Sequence, residues 1–390
     1  MRYVFNKIGK SEKRHGRIKT VHGVLKTPAF LPDATRGFIK TLSNEDLARS
    51  GVGAMVVNTY HLFLQPGIGI IKKAKGIHNF TGWNRPLVSD SGGFQIFSLI
   101  RNTARKNGKK PLGKISEEGV YFKSPVNGSE QFLSPEKSIE IQFELGTDMI
   151  VALDDCPPNN STRAELGKSI ERTVGWAERC FNEYIRQINK RKIPKNKRPL
   201  IISVIQGGGY KDLRKACYRG LESAAGKNKN KIIRDWDGFG FGARPVDAKG
   251  KFLKDTLGFT ASLIPEEKIR FGLGIGSPRD IWECAKMGWD VFDCVIPTRE
   301  GRHGKLYLNK KEHLINEGKI HYNTVNISSS KFAKSFKPIN AGSGVECLKK
   351  YSRAYLKYLL KSGESLGARL ASMNNLKFYS DLMAEIRDTE

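Results

Sequence analysis

Leu200-Ile-Ile-Ser-Val-Ile-Gln206 is a short apolar run that stops on an amide. Pro86-Leu-Val-Ser-Asp90 and Ile150-Val-Ala-Leu-Asp154 stop on carboxylates, and Asp293 lies within Val291-Phe-Asp-Cys-Val-Ile-Pro297. Apolar runs of this length read as strands buried on both faces, the habit of parallel sheets. When such strands close into a barrel their ends converge on one mouth, where the chemistry sits. The pattern predicts a site that gathers Asp90, Asp154, Gln206 and Asp293 around one small polar ligand.

Strands are expected at Ala54–Asn58, Pro86–Asp90, Met149–Leu153, Leu200–Gln206, Gly238–Gly242, Arg270–Gly274 and Asp290–Val295, with helical segments between them. One helix has both ends marked: Ser134 can cap it, Pro135 fits its first turn, Glu136 suits the positive end and Gly146 stops it. This alternation predicts an α/β fold, an irregular TIM (β/α)8 barrel with a late insertion subdomain; a doubly wound sheet is the alternative. Residues 1–301 form the expected barrel core. Residues 302–350, rich in Asn, Ser and Lys, form the insertion, and amphipathic helices expected at Tyr351–Leu360 and Asn375–Ile386, within 351–390, close the chain.

The 390 residues carry 67 Lys plus Arg against 39 Asp plus Glu, a formal charge of +28. Charge does not set the fold, but this excess favours a polyanionic partner, most simply nucleic acid. Basic clusters at 190–198, at Lys227, Lys229 and Lys231, and between Arg101 and Lys110 are the candidates to meet phosphate. No apolar stretch approaches the about 18 residues of a membrane helix. The N-terminus lacks a signal peptide's apolar segment. Six scattered cysteines never form a Cys-x-x-Cys pair. A cytoplasmic protein with reduced thiols and no membrane partner is the expectation.

Two strand-end aspartates can divide labour as in glycoside chemistry, one attacking the anomeric carbon and the other moving a proton. A carboxylate accepts hydrogen bonds, whereas an amide both donates and accepts, so Asp154 with Gln206 suits the edge of a guanine-like base. A strand-end Asp can also cap the next helix, but capping gives no reason for Gln206 to share the placement.

Motifs along most of the chain resemble one family. They are Asn58-Thr-Tyr-His-Leu62, Arg85-Pro86, Ser89-Asp-Ser-Gly-Gly-Phe-Gln95, Glu117-Glu-Gly-Val120 and Ser134-Pro-Glu-Lys-Ser-Ile139. After them come Gln206-Gly-Gly208, Phe292-Asp-Cys-Val295 with Pro297-Thr-Arg299, and Tyr351-Ser-Arg-Ala-Tyr-Leu356. The series resembles the tRNA-guanine transglycosylases (queuine/archaeosine tRNA-ribosyltransferases), bacterial type. The resemblance implies exchange of a guanine, at anticodon wobble position 34 of tRNA, for a 7-deazaguanine such as preQ1 or preQ0. It makes Asp293 the nucleophile on C1′ and Asp90 the general acid/base. Asp154, Gln206, Phe94, Gly242, Ala243, Arg244 and Leu273 fall around the base, and Arg299 and Arg302 against the RNA. A guanidinium at Arg244, if it points inward, would repel a cationic 7-substituent; it can equally point outward to RNA. Val246 disfavours a bulky cyclopentenediol, and the expected end of the chain favours the anticodon over the D-loop.

Family members hold a structural zinc through Cys-x-Cys-x-x-Cys and a later His. Here those positions are Ser343, Val345, Leu348 and Asn374. The residues predict a zinc-free protein with no other cofactor; a displaced site at Cys347 with His303, His313 or His321 is the alternative. The resemblance also implies a homodimer formed through this region, which the altered insertion bears on. Two other functions remain open: a non-catalytic tRNA-binding partner subunit, and base exchange in DNA.

Overall fold

The computed structural model describes residues 3–7, 13–98, 100, 113–158, 160–227, 233–309 and 313–389. Eight strands form one parallel sheet: β1 (Ala29–Pro32), β2 (Met55–Asn58), β3 (Leu87–Asp90), β4 (Met149–Val151), β5 (Leu200–Ile205), β6 (Gly238–Phe241), β7 (Ile269–Gly272) and β8 (Val291–Cys294). Around the sheet the order is β1-β8-β7-β6-β5-β4-β3-β2. Its two end strands meet: Asp33, just past β1, forms a parallel bridge with Val56 of β2, and Ala34 N donates to Val56 O at 2.7 Å. The sheet therefore closes into a barrel, and the doubly wound alternative is excluded.

Strand alternation divides the side chains into two sets. Ala29, Leu31, Val56, Val88, Val151, Ile202, Val204, Phe271 and Val291 form one apolar cluster, the barrel interior. Residues one step away, including Val57, Leu87, Ile150, Ile201, Phe239 and Phe292, join the larger core beneath the helices. Burying one such aliphatic side chain contributes roughly 1.5–3 kcal/mol. Truncating fully buried Ile202 to Ala would cost about 2–5 kcal/mol. Seven expected strands are present with ends shifted by one or two residues. β1 is the strand the sequence reading lacks, because four residues ending in proline look like a turn.

The marked helix runs Pro135–Leu145: Ser134 Oγ accepts from Lys137 N at 3.1 Å, and Gly146 leaves it at φ 69°. Three antiparallel strands at the N-terminus, Tyr3–Lys7, Arg14–Thr20 and Gly23–Thr27, close the barrel floor, with Ile18 and Leu25 joining the interior core. An aspartate precedes each of β4, β6 and β8, and this sheet grips all three. His22 Nδ1 lies 3.0 Å from Asp148, Tyr3 donates to Asp237 at 3.2 Å, and Arg14 Nε donates to Asp290 at 2.7 Å. Asp148 also faces His78, whose ring stacks on His22 at 3.5 Å with 14° between the planes. Parallel rings do not aim their lone pairs at one point, so the trio reads as a clamp rather than a metal site.

The basic loop at 190–198 precedes β5 and so lies at the floor, opposite the strand ends where a barrel site sits. Arg198 there is buried and paired with Asp237, and Arg191 is 2.7 Å from Glu144. Lys227, on the loop before β6, pairs with Glu178 at 2.7 Å. These groups are bound to the protein's own carboxylates. Lys229, Lys231 and the Arg101–Lys110 cluster lie outside the described residues. After β8 a third apolar cluster gathers Leu306, Ile327, Phe332, Ile339, Val345, Leu348, Leu356 and Leu370. The long helix Ser365–Asp388 joins this cluster to the larger core, giving Leu370 and Met373 to the former and Leu376 through Ile386 to the latter.

Candidate active site

The inward alternation of each strand continues past its apolar layer into the mouth. Val88 leads to Asp90, Val56 to Asn58, Val204 to Gln206, Phe271 to Leu273 and Val291 to Asp293. Registers agree: Asp293 pairs with Leu31, and Asn58 with Asp90. The structure thus brings Asp90, Gln206, Leu273 and Asp293 to one mouth.

Asp90 accepts from Asn58 Nδ2 at 2.6 Å and Gln95 Nε2 at 3.3 Å on one oxygen, and from Thr59 N at 3.2 Å and Gly92 N at 3.1 Å on the other. Gly92 turns at φ 81°, and a Cβ there would lie 2.9 Å from Tyr60 N, so the Asp-Ser-Gly-Gly turn requires glycine at that point. Despite its donors, burial pushes the Asp90 carboxyl up to about 8, and the charges of Asp33 and Asp293 add to the rise. Asp293 accepts from Gly274 N at 3.0 Å. Burial, with the charge of Asp33, pushes it up to about 7. Burial thus holds both carboxyls above the usual carboxylate range, side by side in one mouth.

Gln206 is fully buried and donates through Nε2 to Asp154 at 2.6 Å. Its Oε1 is buried with no hydrogen-bond partner. An orphaned acceptor costs about 1–3 kcal/mol, which a ligand N–H would recover. Burial, together with the neighbouring Asp155 charge, pushes Asp154 up to about 7 against the pull of the Gln206 hydrogen bond. Gly242 N donates to Ile205 O at 2.9 Å. A Cβ on Gly242 would sit 2.5 Å from Gln206 Nε2, so only glycine leaves the amide in place. Leu273 lies across Gly240 in the same way, with its Cδ1 2.8 Å from where a Cβ would be.

Phe94, on the turn of helix after Gly93, is half exposed. Ala243, at φ 70°, and exposed Arg244 line a cleft of about 440 Å³ with Val246, Asp247, Lys249, Gly208 and Tyr210. The helix Ile296–Arg302 leaves β8 directly and carries exposed Arg299 and half-buried Arg302. Burial and the charge of Arg299 push the Arg302 guanidinium below its usual range.

Sequence reasoning missed Asp33, and it did not single out Asn58 and Gln95 within their motifs. Asp33 bridges to inward-facing Val56 and shares its face, so it too turns into the mouth. Its signal was the same as the others, an apolar run ending on a carboxylate in Ala29-Phe-Leu-Pro-Asp33.

The zinc positions of the resembled family do not fit a metal here. Val345 and Leu348 are buried in the apolar cluster that follows β8. Ser343 Oγ accepts from Val345 N at 3.1 Å. The amide of Asn374 is engaged with Tyr307 O, Asn340 and Asn375 at 3.0–3.1 Å. Alkyl groups and a satisfied neutral amide offer no thiolate or imidazole ligand. Among the described residues, Cys347 gathers no three-ligand set with His303, His313 or His321.

The model of the family described as "Queuine tRNA-ribosyltransferase" matches residues 10–389. Proteins named queuine tRNA-ribosyltransferase are similar over nearly full length. The Bacillus licheniformis protein is 38% identical over 389 residues, 100% of this chain and 91% of its own. That of Staphylococcus haemolyticus is 39% identical over 377 residues (97% and 89%), and that of Bacillus subtilis 37% over 388 (99% and 91%). With its barrel, its mouth of carboxylates and this similarity, the chain belongs to the queuine tRNA-ribosyltransferase family of pentosyltransferases.

Proposed function

We propose that the protein exchanges guanine at anticodon wobble position 34 of tRNA for a 7-deazaguanine such as preQ1 or preQ0, through a covalent Asp293–ribosyl intermediate. The observation that carries this reading is the buried, unpartnered Oε1 of Gln206 beside Asp154, an acceptor and a carboxylate awaiting the N–H groups of a guanine edge. Asp293 attacks C1′ while Asp90 protonates the departing guanine. The incoming base, deprotonated by Asp90, then displaces the carboxylate and restores the glycosidic bond. Half-exposed Phe94 stacks on the base, and Arg299 and Arg302 meet phosphates of the loop. A single-stranded loop lets the nucleotide be extruded at low cost.

Arg244 and Lys249 against the single carboxylate of Asp247 give the adjoining cleft a net positive lining, which favours an uncharged 7-substituent, hence preQ0 over preQ1. The insertion works without zinc, held by apolar packing and the Asn374 amide. Six free thiols fit a cytoplasmic setting, and no helix among the described residues is long and apolar enough to cross a membrane. The homodimer belongs to the same reading, supported by exposed Tyr351, Tyr355 and Tyr358 beside the insertion, whose ring centroids follow one another at 5.4 and 6.4 Å. Incubation with tRNA and radiolabelled guanine tests the activity: label entering tRNA is expected, and a chain that binds tRNA yet exchanges none would be a partner subunit instead.

A further inference from the structure

We propose that Asp33 accepts a hydrogen bond from the 2′-hydroxyl of the nucleotide whose base is exchanged, and so makes the site specific for ribonucleotides. This rests on the exchange reading above and adds a substrate group that reading leaves unassigned.

The placement comes from the seam of the barrel. Asp33 bridges to Val56, one inward layer below Asn58, which holds Asp90 at 2.6 Å. On its other side β1 pairs with β8, where Leu31 is the register partner of Asp293. Asp33 is therefore the diagonal neighbour of Asp293, two residues further along the adjacent strand. Strands about 4.8 Å apart with a rise of about 3.3 Å per residue set those α-carbons roughly 8 Å apart. Both side chains face inward, so their carboxyl groups can meet one five-membered sugar. With Asp293 against C1′, the hydroxyl on the adjacent ring carbon is the sugar group nearest to a flanking carboxyl.

The chemistry of Asp33 suits that hydroxyl. Its Oδ1 accepts from Thr35 N at 2.9 Å and Thr35 Oγ1 at 2.8 Å, which fixes the carboxyl plane. Its Oδ2 takes no hydrogen bond among the described residues and remains an acceptor in the mouth where Gln206 also keeps an orphaned oxygen. Burial raises the Asp33 carboxyl above the usual range against the pull of Thr35. Its charge is felt by both Asp90 and Asp293, which agrees with a position between them. A hydrogen bond to the hydroxyl beside a reacting anomeric carbon strengthens as that carbon becomes cationic. A site built around a substrate hydroxyl rejects the analogue lacking it, because its own acceptor is then left unpaired.

The test uses the full chain with two anticodon stem-loops, one all-RNA and one carrying a single 2′-deoxyguanosine at the exchanged position. Radiolabelled guanine incorporation gives kcat/KM for the wild type, Asp33→Asn and Asp33→Val. The wild type should prefer the ribonucleotide by about 10²-fold, the scale of a hydrogen bond to a charged group. Asp33→Val should lose about that factor on the ribonucleotide and change little on the deoxynucleotide, collapsing the preference; Asp33→Asn, which keeps the shape, should fall between. Equal losses on both substrates in both variants, or a preference that survives both, would overturn the assignment. Exchange by the wild type with an unaltered preference in the variants would sink Asp33 alone. No exchange by the wild type on the ribonucleotide would sink the exchange reading and this inference with it.

Discussion

Asn58 donates through Nδ2 to Asp90 at 2.6 Å across the mouths of two neighbouring strands, and its own Oδ1 accepts from His61 N at 3.0 Å. One amide thus orients the carboxyl and caps the helix that follows it. Asn58→Ala should lower kcat by about 10²-fold, the scale of a misplaced catalytic group, while the KM for guanine stays within a few-fold. Steady-state kinetics separate the two; an unchanged kcat would remove Asn58 from the orientation of Asp90.

The raised carboxyls set a pH dependence whose sign follows from their roles. In the proposed exchange, cleavage needs Asp293 ionised and Asp90 protonated. Asp293 sits at about 7, so the rate falls as pH drops below it; Asp90 sits at about 8, so the rate falls again as pH rises past it. The profile of kcat/KM should peak near neutral pH, well above the ordinary carboxylate range. Replacing Asp33 by Asn removes a negative charge that raises both, so both limbs should move to lower pH. A peak near pH 5, in the ordinary carboxylate range, would contradict the burial of these groups.

At Gly242 the prediction is steric. A methyl group there would lie 2.5 Å from Gln206 Nε2, so Gly242→Ala should displace the amide from Asp154. The KM for the free base should rise by about tenfold or more, the scale of one lost hydrogen bond to a charged partner. Affinity for tRNA, measured by filter binding, should change little. Loss of both in equal measure would show that the substitution acts on the fold rather than on the base pocket.

Asn374 stands where the family's zinc-binding His would be. Asn374→Ala leaves the Tyr307 carbonyl and Asn340 without their partner and should cost about 1–3 kcal/mol. Exhaustive chelation should leave the melting temperature of the wild type unchanged. A chelator-induced fall in Tm, with zinc recovered by elemental analysis, would refute the zinc-free reading.

The barrel and most of its mouth are legible in the sequence because parallel strands buried on both faces stay apolar until they reach the mouth. Gln206, Asp154, Asp90 and Asp293 mark four such ends. β1 escapes the same reading because Ala29–Pro32 is four residues long and ends on proline, and Asp33 goes unread with it. The basic loop at 190–198 could not be placed from the sequence, because composition does not say which end of the barrel a loop occupies. Arg198 is spent on Asp237, a pairing visible only once β5 and β6 are side by side. The final helix begins earlier than its expected Asn375–Ile386 stripe, since Leu370 and Met373 serve a second core that the first periodicity does not reveal.

The most direct test of the account is capture of the covalent intermediate. The wild-type chain incubated with tRNA and no incoming base, then denatured, should carry RNA on a slower band in a denaturing gel. Asp293→Asn should give no such band while still binding tRNA in a native gel. RNA that remains covalently attached to Asp293→Asn would contradict the central claim, because the nucleophile would then lie elsewhere.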